Sequence, residues 1–165
     1  MSKIRDLKRK VLCGDVDAEY ELGVCYRDGI EVERNLEDSF YYFQLAASQG
    51  HADSQYMIGV CYDEGQGVEQ NDIMALRYYK MAAKKGHIDA QYHAGVLYSK
   101  HDDELAFQYF KMAADQRDAY ALYFIALCYQ DGKGVEQSDT VSQMYMTMAA
   151  EEGHPVAQYR ISKLK

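Results

Sequence analysis

The chain has 165 residues, 48% of them hydrophobic, with one proline, no tryptophan and a formal net charge of −8. That length suits one domain with its own core, and the acidity disfavours non-specific nucleic-acid binding while favouring cationic partners. No run approaches the roughly 20 apolar residues that span a bilayer, so a cytoplasmic location without membrane association is expected.

The N-terminus departs from the overall charge, with Lys3, Arg5, Lys8, Arg9 and Lys10 against Asp6 alone. It does not read as a secretory leader, because Val11-Leu12-Cys13 gives way at once to Gly14-Asp15. Ile4 to Cys13 is predicted to be a lone helix within an N-terminal cap, residues 1–14. Beyond it the sequence repeats itself. Gly59-Val60-Cys61-Tyr62 lies 36 positions after Gly23-Val24-Cys25-Tyr26, and Gly86-His87 lies 36 after Gly50-His51. A fixed period of this length marks a stack of like units, each unable to bury its apolar face alone.

Four units follow, at 15–50, 51–86, 87–117 and 118–153, and 154–165 opens a fifth whose single helix, Ala157 to Leu164, caps the other end. Each unit reads as two helices. In the first helix of unit one, Ala18, Leu22 and Tyr26 form one apolar stripe, while Gly23 permits close approach of a neighbour. Glycines such as Gly65 and Gly67 end the first helix, and Asn35, Asn71 and Ser138 are placed to cap the second. Unit three has a short loop, with 8 positions from Tyr98 to Ala106 where Tyr62 to Ala75 takes 13.

These residues resemble the Sel-one-like repeat (SLR) family, a relative of the tetratricopeptide repeat. Unit two carries the pattern almost throughout: Ile58-Gly59, Tyr62, Gly65, Gly67-Val68, Asp72, Ala75, Tyr78-Tyr79, Ala82-Ala83 and Gly86. Departures are Glu31 at the second loop glycine, the missing loop of unit three, and Ala126 where Gly95 stands in the unit before. The resemblance implies an all-α fold, a right-handed α/α superhelix (solenoid) of helix–turn–helix repeats, and a role as scaffold or adaptor. It also implies that the first helices line a concave face. Carried over residue by residue, that face takes Asp17, Tyr20 and Arg27 from unit one, and Asp53, Tyr56, Asp63 and Glu64 from unit two. Asp89 and Tyr92 follow from unit three, Tyr120, Tyr123 and Asp131 from unit four, and Tyr159 from the last helix. A tyrosine row flanked by acids suits Lys and Arg, by pairing and by cation–π contact.

Catalytic chemistry is not expected. Cys25, Cys61 and Cys128 share one slot on successive repeats, too far apart for disulfides, and no Cys-x2-Cys is present. His51, His87 and His154 each follow a unit-ending glycine, and no phosphate loop, dinucleotide fingerprint or nucleophile elbow occurs. No metal or cofactor is therefore expected. A cysteine-rich branch of the family is linked to penicillin binding, but this chain lacks the second cysteine of each pair. The leading expectation is a non-enzymatic module that holds a basic protein or peptide. An immunity protein against a secreted, basic toxin is the alternative, a penicillin-binding or hydrolysing enzyme a distant one, and self-association stays open.

Overall fold

The computed structural model describes residues 2–163. Ten helices run through them: α1 Lys3–Leu12, α2 Val16–Asp28, α3 Leu36–Ser48, α4 Ala52–Glu64 and α5 Asp72–Ala83, then α6 Ile88–Tyr98, α7 Asp103–Ala114, α8 Ala119–Asp131, α9 Asp139–Glu151 and α10 Pro155–Ser162. The chain is an all-α repeat solenoid with no strand among the described residues. Both end helices begin a residue or two before the predicted positions, and Leu164, placed by the sequence in the last one, lies outside the described residues. The chain forms two compact units, which meet in sequence between His87 and Ile88.

Most of the helices start where a side chain satisfies a free N–H group. Asn35 accepts from the N–H groups of Glu37 and Asp38, Asn71 from Met74, and Ser138 from Val141, so the second helices begin at the expected caps. The first helices α2, α4 and α8 stop at Gly29, Gly65 and Gly132, each in the left-handed conformation. Repeat three lacks that stop. Asp102, four residues after Tyr98, already caps α7 through the Leu105 N–H.

Within the first unit, α1 packs on α2, and α2, α3, α4 and α5 pack in succession. In the second, α6 through α10 do the same. The two helices of a repeat meet at a helical glycine. Phe43 lies against Gly23, Tyr79 against Gly59 and Phe110 against Gly95, so closely that no side-chain carbon would fit on the glycine. Repeat four resolves the same contact differently: Ala126 replaces the glycine and the unbranched Met146 replaces the ring, both buried in one apolar cluster. The alanine that departs from the repeat pattern is thus one half of a paired change.

Glu31 is explained in the same way. The equivalent loop glycines, Gly67 and Gly134, press against the backbone of the preceding repeat, at the carbonyls of Leu36 and Asp103, where a Cβ would collide. Among the described residues α1 alone precedes repeat one, and Glu31 keeps the left-handed backbone (φ 56°). Its carboxylate accepts from Ser2 Oγ at 2.8 Å. That bond, with help from the N–H groups of Ile4 and Lys3, holds the carboxyl below its ordinary range and ties the start of α1 to the loop.

One buried pairing recurs with a defect. Gln49 donates to Glu19 at 2.7 Å in repeat one, and Gln116 donates to Gln91 at 2.8 Å in repeat three. In repeat two the donor's place is taken by Lys85, which turns to the Gly50 carbonyl. Gln55 Oε1 is then buried with no hydrogen-bond partner among the described residues. Lys85→Gln should supply the missing N–H and stabilise the fold by about 1 kcal/mol, seen as a raised urea midpoint. An unchanged or lowered midpoint would contradict this pairing.

Candidate functional site

The first helices carry every residue of the expected binding face, and the structure gives several of them a second task. On α2 and α4 the tyrosines and aspartates surround the histidines that follow the unit-ending glycines, of which His51 caps α4. His51 Nδ1 accepts from the Ser54 N–H at 3.2 Å, so the neutral ring carries its proton on Nε2, 3.5 Å from Asp17 Oδ1. Tyr20 lies with its ring centroid 5.0 Å from that imidazole. One repeat on, Asp53 Oδ1 sits 3.5 Å from His87 Nε2, and Tyr56 stacks on the same ring at 4.5 Å. The carboxylates keep most of their surface, with side chains 86% and 57% exposed at Asp17 and Asp53. Tyr20 and Tyr56 are half-buried over one apolar cluster. Burial first, then the Asp53 carboxylate, raises the Tyr20 hydroxyl above its ordinary pKa, which places that acid within electrostatic reach of the ring.

The remaining first-unit candidates are already partnered. Arg27 forms a two-pronged bond with Asp28, at 2.7 and 2.9 Å. Asp63 accepts from the hydroxyl of the fully buried Tyr79 at 3.1 Å, and Glu64 accepts from Gln66.

In the second unit Tyr123 stacks on His154 at 4.2 Å, and Tyr120, standing where the other repeats have aspartate, meets the same ring edge-on at 4.8 Å. Tyr92 packs among Phe110, Tyr120 and Phe124, because the third repeat is followed by Asp118 and not by a histidine. Asp89 and Asp131 are exposed. Tyr120 and Tyr159 present 51% and 63% of their surface, and cations of the chain lie over two rings, Arg160 over Tyr123 and Lys163 over Tyr159. The tyrosines thus take positive charge on their faces within the chain itself.

His154 caps α10 through Nδ1, which accepts from the Ala157 N–H at 3.2 Å. Burial lowers its pKa below the ordinary 6.5, against an opposing pull from Asp118. Above pH 6.5 the ring is neutral in folded and unfolded chains alike. Below it the unfolded chain takes the proton first, so stability falls as pH drops through about 6.5 toward the folded value. Amide protection in α10, with the intrinsic pH dependence of exchange divided out, should fall over that drop in the native protein. It should not in His154→Asn, whose cap does not titrate.

Among the described residues, no group of three or more His, Cys, Asp or Glu is placed to hold a metal ion. Cys25, Cys61 and Cys128 are buried and free, and burial pushes Cys61 to about 12 and Cys128 to about 11. Such thiols are not nucleophiles at neutral pH. Nor is any helix of the described residues long and apolar enough to cross a membrane.

The model of the Sel1 repeat matches four times, at residues 16–51, 52–87, 88–118 and 119–154. The chain belongs to the Sel1 repeat family. A protective antigen of uropathogenic Escherichia coli with an SLR fold is 31% identical over 98% of the chain, with a TM-score of 0.94. A Sel1 repeat protein from Oxalobacter formigenes is also 31% identical, over 87%, with a TM-score of 0.83. The chain spans 36% of the first and 61% of the second. An immunity protein from Pseudomonas aeruginosa matches at 18% identity over 92% of the chain and 73% of its own length, with a TM-score of 0.55. That last likeness is one of fold. No curated protein gives a significant match. The Sel1 repeat is a protein-interaction fold, and its members are generally non-enzymatic scaffolds.

Proposed function

We propose that this Sel1 repeat protein is a non-enzymatic interaction module that holds a basic protein or peptide on the faces of its first helices. The observation that carries the reading is the pairing of exposed carboxylates with half-buried tyrosines at Asp17–Tyr20 and Asp53–Tyr56. Rings anchored on a histidine are rigid and lose little entropy on binding, while the adjacent acids select positive charge. The net charge of −8 speeds capture of such a partner. A cytoplasmic location belongs to the proposal, since four unpaired cysteines suit a reducing compartment. Neutralisation of a basic toxin is the second reading, favoured by the shared fold of the Pseudomonas immunity proteins.

Affinity capture from the source organism tests the proposal, with wild type beside an Asp17→Lys/Asp53→Lys variant. One basic protein should be enriched by the wild type and lost from the variant. A toxin gene beside the gene for this chain would select the immunity reading. Equal recovery on both baits, or hydrolysis of nitrocefin by the purified protein, would overturn the proposal.

A further inference from the structure

One slot of the repeat, four residues after the helical glycine or, in repeat four, after Ala126, holds Arg27, Asp63, Ser99 and Gln130 in turn. In the first unit, Arg27 uses it to reach the next repeat. Its Nη1 donates to Met57 Sδ at 3.7 Å, and its charge acts on the Cys61 thiol. The guanidinium therefore reaches Met57, and both it and the Glu64 carboxylate are in electrostatic reach of the Cys61 thiol.

The second unit repeats part of this platform with the residues 67 positions on, Phe124 for Met57, Cys128 for Cys61 and Asp131 for Glu64, while the register of Asp28, which clamps Arg27, holds Lys100. The arginine is missing. Ser99 stands in its register and turns its hydroxyl back to the Val96 carbonyl at 2.8 Å. A cavity of about 180 Å³ remains, floored by Phe110, Phe124, Leu127 and Cys128. Phe110 and Phe124 are stacked, with centroids 4.9 Å apart and planes 11° from parallel. Asp103 and Asp131 stand in the wall, and both carboxylates act on the Cys128 thiol. Lys133 is the cation beside them, so two negative charges face one positive.

We propose that this cavity is a socket for an arginine side chain of a protein partner, which enters where the chain's own Arg27 lies in the first unit. It rests on the reading above and names the side chain that is gripped. Arginine fits better than lysine, because a planar, weakly hydrated guanidinium can lie on the partly exposed Phe124 and Leu127 and pair with a carboxylate at its edge. Ser99, just past the end of α6, and Asp103, the first residue of α7, complete the wall.

The test is a titration of the full ¹⁵N-labelled protein with Nα-acetylarginine methylamide, beside its lysine and citrulline counterparts. A single side chain in a small site should bind with a Kd on the order of 1–10 mM. Amides of Leu127, Cys128 and Asp131 should shift with arginine, with about tenfold weaker binding of the uncharged citrulline probe. Ser99→Arg should fill the socket from within and abolish the response, while Ser99→Ala keeps it and shows that loss of the hydroxyl is harmless. Equal binding of citrulline, an unchanged titration in Ser99→Arg, or no response in wild type would overturn the socket. A captured basic protein that is lost with Asp17→Lys/Asp53→Lys but indifferent to Ser99→Arg would sink the socket and leave the broader reading standing. A saturating arginine response in a protein that holds no basic partner would do the reverse.

Discussion

Gly59→Ala is expected to destabilise the protein by about 3 kcal/mol, the upper range for forcing volume into a packed core. An added Cβ would sit 2.5 and 2.6 Å from Cδ1 and Cε1 of Tyr79. Tyr79 cannot step aside, being 1% exposed with its hydroxyl bonded to Asp63. The chain already contains the remedy. Repeat four places Ala126 and Met146 at the corresponding positions, so Gly59→Ala/Tyr79→Met should relieve the clash and recover part of the loss. Tyr79→Met alone gives up ring contacts and the Asp63 hydrogen bond, at about 2 kcal/mol. Urea unfolding of the four proteins should then show the double variant to be more stable than the sum of the singles by roughly 3 kcal/mol, which leaves it about 2 kcal/mol below wild type. Additive losses would mean that the glycine and the ring are independent.

The fold was legible because its signals are local or strictly periodic. Asn35, Asn71 and Ser138 cap helices three residues away at most, and Gly29, Gly65 and Gly132 end them in place. Pairings between elements were not legible. The sequence shows Ala126 as an irregularity, and only packing shows that Met146, twenty positions on, accommodates it. The tyrosine row hid a similar partnership. Tyr20, Tyr56 and Tyr123 stand 31 positions before His51, His87 and His154, and each ring lies on its histidine. That constant spacing was the available signal, and it gives the tyrosines a scaffold role beside any role in binding. The Ser99 cavity left a fainter trace, since it shows only when the slot of Arg27 is followed through all four repeats and compared with what it touches.

The second large effect concerns the acids. Asp17 and Asp53 lie in the first turns of α2 and α4, where negative charge favours the helix, so reversing both costs about 1–2 kcal/mol of stability in all. Circular dichroism before any binding assay separates that cost from an effect on the partner. Against a basic partner the same two reversals replace two attractive charges with two repulsive ones. The expected result is a loss of affinity on the order of 100-fold, about 2.7 kcal/mol, carried partly by slower association. The gap should shrink at high salt, where exposed charges are screened within a few ångströms. The deciding measurement is therefore the Kd of the basic protein captured by the wild type, taken for wild type and for Asp17→Lys/Asp53→Lys at low and high ionic strength. A gap of about 100-fold that narrows with salt is expected. Equal affinities at low salt, with both proteins folded, would contradict a binding face built from these acids.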